Sequence, residues 1–188
     1  MDQAKSENIW ATPIGKWNFA QQVGELGLLD EILQNPDVLK DTKVGMHRIS
    51  DRKDEFPKFT SFIDGCLRNC MNEYMLKHYN HVPEFATWSA WTHLCLHGIG
   101  LVPHYHMGDE YLTSIIYLTE SKANLVLRDP RANMVRNWPQ TVLKSHFADH
   151  EVHPRTGDFV MFPTYIDHYV MATQPDFRVA VAIDWCFE

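Results

Sequence analysis

The chain has 188 residues, 45% of them hydrophobic, with 17 Lys and Arg against 24 Asp and Glu, for a formal net charge of −7. A chain of this length buries roughly two thirds of its unfolded surface, so it is expected to fold as one domain, residues 1–188, without disulfides. The acidic balance and scattered basic residues argue against a nucleic-acid partner, and no segment approaches eighteen consecutive apolar residues, which argues against a membrane-spanning helix.

The first fifteen residues, MDQAKSENIWATPIG, lack a basic region followed by an apolar one, so no secretory signal is read there. Cys66 and Cys70 lie one helical turn apart, while Cys95 and Cys186 are isolated in apolar contexts. None of these spacings matches a zinc ribbon or finger, and small buried thiols in a reducing compartment are expected. The expected protein is soluble and cytoplasmic.

In chain order, residues 8–19 (NIWATPIGKWNF) carry β-branched and aromatic residues around Pro13 and Gly15, which predicts an edge strand interrupted by a turn. ELGLLDEILQNP, residues 25–36, predicts a short amphipathic helix stopped by Asn35-Pro36. A longer helix is predicted over 55–79, where Phe59, Phe62, Ile63, Cys66, Leu67, Cys70 and Tyr74 recur at three- and four-residue steps. From Phe85 the texture changes to about seven short β-rich runs, punctuated by Gly, Pro, Asn and Asp. The division is an N-terminal strand with supporting helices over 1–84 and a sandwich or barrel over 85–188. Residues 133–154 are the least regular and are long enough for a substrate-facing lid.

The chemistry-bearing residues lie in the β-rich part. In LVPHYH, His104 and His106 share one face of a strand while Tyr105 points away. As a pair they are either metal ligands or polar rim residues. Downstream come Gly157-Asp158, a strand running into Pro163, His168, and Arg178 at the head of FRVAVAI. A lone arginine in an apolar strand is costly to bury unpaired. It therefore either grips an anion, for which a guanidinium fork is well suited, or sits at a sheet edge facing solvent.

Taken together, these residues resemble the 2-oxoglutarate/iron(II)-dependent oxygenase superfamily, its prolyl-hydroxylase-like branch, and in particular a group of small bacterial and phage members. The resemblance rests on His104-Tyr105-His106, on YLTSIIYL ending at Tyr117-Leu118, on Gly157-Asp158, Phe162-Pro163, His168 and Arg178. Trp10-Ala11-Thr12-Pro13 and Asp129-Pro130-Arg131 extend it over almost the whole chain. It implies a double-stranded β-helix, a cupin-like jelly roll flanked by helices. It also implies an oxidoreductase, a dioxygenase that hydroxylates a peptide side chain, amino acid or small metabolite with O2, Fe(II) and 2-oxoglutarate, with ascorbate as an accessory reductant. By the resemblance His104 and His168 ligate iron, Arg178 binds the distal carboxylate of 2-oxoglutarate, and the Tyr117 hydroxyl is a second donor.

One position departs from the superfamily pattern. Facial-triad sites use two histidines and a carboxylate, yet His106 occupies the slot two residues after His104. Either three histidines bind the metal or Asp109 swings in from the following turn, and strand parity favours His106. Trp88, Trp91, Tyr105, Tyr111 and Trp185 divide between core and substrate mouth, and Asp129 and Arg131 either pair or contact substrate. His93, His97, His146, His150 and His153 are expected to be structural or surface residues. Two rivals remain: a three-histidine dioxygenase without 2-oxoglutarate, and a non-catalytic ligand-binding jelly roll. The oligomeric state is open, a homodimer being compatible with the sequence.

Overall fold

The structure, a computed structural model, describes residues 12–40, 45–95, 100–106, 108–131, 139, 141, 148–171 and 177–187. The expected lid at 133–154 therefore lies mostly outside the described residues, as do Trp10, Ala11, His97, Arg136 and His146. Its last part, His150–Val152, is a short strand rather than a loop.

Ten strands are found among the described residues: β1 (Gly15–Asn18), β2 (Gly45–Arg48), β3 (Ala86–Cys95), β4 (Leu101–His104), β5 (Glu110–Tyr117), β6 (Leu125–Leu127), β7 (His150–Val152), β8 (Asp158–Pro163), β9 (His168–Val170) and β10 (Arg178–Phe187). They form a six-stranded sheet in the order β1-β8-β5-β10-β3-β2 and a four-stranded sheet in the order β4-β9-β6-β7. Every pairing is antiparallel. The seven β-rich runs after Phe85 are all strands, and β1 is the predicted edge strand. β2 and β7 are not predicted by the sequence, because three or four partly polar residues give too little alternation to read.

The helical segments differ from expectation in an instructive way. The stretch read as one helix over 25–36 is part of three: α1 (Ala20–Leu26), α2 (Leu28–Gln34) and α3 (Pro36–Lys40). Gly27 adopts φ 65° between the first two, a left-handed turn that only glycine makes cheaply. Asn35 is extended before Pro36, and its side-chain oxygen accepts the Asp37 N–H at 3.0 Å, so the Asn-Pro pair ends α2 and starts α3. The long helix begins at Pro57 and runs as α4 (Pro57–Phe62), a π turn (Ile63–Leu67) and α5 (Arg68–Tyr79), ending at left-handed Asn80. No helix is long and apolar enough to cross a membrane among the described residues.

Parity along β10 organises the core. Val179, Val181, Ile183 and Trp185 belong to the cluster that also holds Phe59, Phe62, Leu67 and Met71 of the helices. Ala180 and Ala182 belong to a second cluster with Ile115, Leu125, Val160, Phe162 and Val170, contributed by both sheets. Thus one face of the large sheet packs on helices and the other on the small sheet, and the middle of β10, Val179 to Ile183, is apolar on both faces. Each fully buried Leu, Ile or Phe contributes about 1.5–3 kcal/mol, so the helical layer is a structural backing for the strands that carry the polar groups.

Gly157 ties the strands together. Its N–H donates to the Tyr117 carbonyl at 2.7 Å, and its carbonyl accepts the Phe19 N–H at 2.7 Å. It sits at φ 82°, and a Cβ there would run into the backbone of Ala20.

Candidate active site

His104 ends β4 and His168 begins β9, and the two are direct cross-strand partners in the small sheet. Their ring centroids are 4.3 Å apart. Two residues beyond His104, the backbone N–H of His106 donates to the Thr164 carbonyl at 3.3 Å, which swings its ring to 5.5 Å from His104 and 5.2 Å from His168. One nitrogen from each of the three lies within 4.8 Å of the others. Asp109, the alternative third group, is exposed in the bend before β5 and stands outside this cluster.

The remaining ring nitrogens are tied down. His104 Nδ1–H donates to the Val102 carbonyl at 2.8 Å and His168 Nδ1–H to the Ile166 carbonyl at 2.9 Å. His106 Nδ1–H donates to Asp184 Oδ2 at 2.6 Å. Carbonyl and carboxylate oxygens only accept, so each proton sits on Nδ1 and each Nε2 lone pair is left for a ligand. Three neutral imidazole nitrogens suit Fe(II) and its first-row neighbours, so the donor set fits the metal the sequence implies.

The three imidazoles line a cavity of about 220 Å³ between the sheets, room for several waters. Ala180 and Ala182, small residues on the inward face of β10, leave this space open. Arg178, 4% exposed, and Tyr117, 3% exposed, line the same cavity. No carboxylate among the described residues pairs with Arg178. The edge-strand alternative for this arginine therefore fails: β10 is an interior strand, flanked by β5 and β3. Burial pushes the Tyr117 hydroxyl above its ordinary pKa, with Arg178 pulling the other way, so it remains a proton donor in use.

His93 extends the site beyond the motif residues. Expected to be structural or on the surface, it is a half-buried part of the cavity wall, and its Nε2 accepts the Trp91 indole N–H at 2.8 Å. Burial, followed by the positive field of Arg178, holds it down to about 3, and burial holds His168 down to about 4. Trp91 itself lines the cavity and stacks on His106 at 6.0 Å. Trp88 and Trp185 are core residues, whereas Tyr105 and Tyr111 are exposed, the latter stacked on Phe187. His150 and His153 are surface residues as expected, His150 meeting Lys16 Nζ at 2.9 Å. Asp129 and Arg131 pair with each other at 2.7 Å and 3.0 Å.

The two depressed histidines make the apoprotein acid-sensitive. Their folded pKa lies below the ordinary 6.5, so the unfolded chain binds more protons as pH falls below that value. Their stabilising contribution is complete above about pH 6.5 and is lost on the way down toward pH 4, by about 1–2 kcal/mol per imidazole near pH 5. The thermal midpoint measured with chelator present should fall across this window, and His93→Gln should flatten the fall. A midpoint independent of pH between about 6.5 and 5 would mean both rings are solvated.

A jelly roll of two antiparallel sheets thus encloses three converging imidazoles and a buried arginine. The chain belongs to the family described as "Putative 2OG-Fe(II) oxygenase", whose model matches residues 89–184. It is accordingly an oxidoreductase using Fe(II) and 2-oxoglutarate. Similar solved structures include a Pseudomonas putida prolyl-4-hydroxylase, 12% identical with TM-score 0.65, covering 94% of this chain and 94% of the other. A Trichoplax adhaerens prolyl hydroxylase in complex with a hypoxia inducible factor peptide fragment is 11% identical with TM-score 0.62, over 93% and 83%. HygX from Streptomyces hygroscopicus with nickel and 2-oxoglutarate bound is 15% identical with TM-score 0.57, over 93% and 82%. At these identities the likeness establishes the double-stranded β-helix fold. No curated protein matches the chain in sequence.

Proposed function

We propose that the protein is a hydroxylating dioxygenase that holds Fe(II) through His104, His106 and His168 and 2-oxoglutarate through Arg178 and Tyr117. The observation that carries this is the convergence of three Nδ1-tethered imidazoles in a cavity that also exposes a buried guanidinium. Bound Fe(II) supplies the oxidative decarboxylation of 2-oxoglutarate by O2 to succinate and CO2, with the second oxygen atom going to a C–H bond of the substrate. The chain itself does the rest. The guanidinium fork of Arg178 receives the distal carboxylate, the Tyr117 hydroxyl donates to it, and the apolar walls from Leu101, Ile115 and Val170 keep water away.

The substrate is read as a peptide side chain, amino acid or small metabolite. Residues 1–188 are taken as one catalytic domain, and four free thiols favour a reducing, cytoplasmic setting.

Purified protein supplied with Fe(II), ascorbate and 2-oxoglutarate should release succinate slowly without any added substrate, and chelation should stop it. Oxygen uptake with an added thiol or diketone and no succinate would overturn this assignment.

A further inference from the structure

A buried carboxylate stands directly behind the cluster. Asp184, 3% exposed, lies on the inward face of β10, in register with Thr113 of β5 and Ser89 of β3. One carboxylate oxygen accepts His106 Nδ1–H at 2.6 Å and the other accepts Thr113 Oγ1–H at 2.8 Å. Thr113 is itself 1% exposed. A carboxylate in an apolar strand is costly unless it is hydrogen-bonded and faces a cation. The described residues place no lysine or arginine against it, since its one ion-pair partner is His106.

We propose that Asp184 is the positioning residue of this centre, supplying from behind His106 the negative charge that a directly bound carboxylate supplies in a two-histidine-one-carboxylate site. Two functions follow from the geometry. The hydrogen bond fixes the proton of His106 on Nδ1 and aims Nε2 at His104 and His168, and the anion raises the basicity of the imidazole. The charge lies beyond the imidazole from the ligand position, so it favours retention of the cation while leaving every remaining coordination position free. Thr113 locks the carboxylate plane, and Trp91, stacked on His106 at an interplanar angle of 30°, closes the other side of the ring.

This inference rests on the three-imidazole reading, and the test separates the two. Titrating Mn(II) into the apoprotein should give tight binding for the wild type and about 10- to 100-fold weaker binding for Asp184→Asn. Thr113→Val, which keeps the charge but frees the carboxylate, should weaken Mn(II) by a smaller factor and covers the case in which Asp184→Asn does not fold. With Mn(II) saturating, 2-oxoglutarate should bind Asp184→Asn at least as tightly as the wild type, because removing an anion near the metal favours a dianionic ligand. Weakening of both ligands together in a folded Thr113→Val, or unchanged Mn(II) affinity in both variants, overturns the assignment. Wild-type protein that takes up no Mn(II) overturns the three-imidazole reading and this one with it.

Discussion

Arg178→Ala is expected to weaken 2-oxoglutarate binding by roughly 30- to 5,000-fold, the equivalent of about 2–5 kcal/mol for removing a charge-assisted hydrogen-bonded pair from a desolvated site. The size of the effect follows from where the guanidinium lies. It opens an interior strand, is almost inaccessible to solvent, and lines the cavity with Tyr117 while its positive charge acts on both Tyr117 and His93. Arg178→Lys should recover only part of the affinity, because an ammonium is a point charge without the planar fork that matches a carboxylate. Mn(II) binding by the alanine variant should stay close to wild type, since the arginine belongs to the cavity wall and not to the imidazole cluster. An unchanged 2-oxoglutarate constant would remove Arg178 as the anchor. Arg131 is no substitute, being held by Asp129 and absent from the cavity wall. Arg136 lies outside the described residues.

How much of the molecule is legible in its sequence depends on the range of the interaction. The strands after Phe85 are readable because alternation and turn residues are local, and the helix over 57–79 because its apolar spacing survives the π turn. The break at Gly27 escapes such a reading because an isolated glycine in a helical pattern is ambiguous until its φ is known. The family resemblance and strand parity single out the three histidines and Arg178. They do not single out Asp184, although the reasoning applied to Arg178 covers it equally. It is six residues further along the same strand, at the same parity, and just as costly to bury alone. What the sequence lacks is the pairing of β10 with β5 that brings Thr113 beside it and the turn at Thr164 that delivers His106. His93 is hidden for the same reason: only the register of β3 against β10, which sets it opposite Ala180, turns it into the cavity.

His168→Ala is expected to abolish both metal uptake and succinate release, and it is the sharpest test of how the centre is built. Apparent binding energies of roughly 10–16 kcal/mol for four-ligand zinc sites imply about 3 kcal/mol per ligand, or at least 100-fold in Mn(II) affinity. The replacement removes the ring that faces His104 across the small sheet and leaves the Ile166 carbonyl without its donor. Folding should survive, because holding this imidazole neutral in the interior already costs the apoprotein stability at low pH. The thermal midpoint with chelator should therefore change little near neutral pH, and relative to wild type it should improve toward pH 5. His106→Ala should lose the metal in the same way, whereas Asp109→Asn should keep it, since Asp109 is exposed and apart from the cluster. Retention of Mn(II) by His106→Ala together with its loss in Asp109→Asn would place a carboxylate in the third position and return the site to two histidines and one acid. Loss in both His168→Ala and His106→Ala, with the fold intact, leaves a centre whose carboxylate, among the described residues, stands behind a histidine.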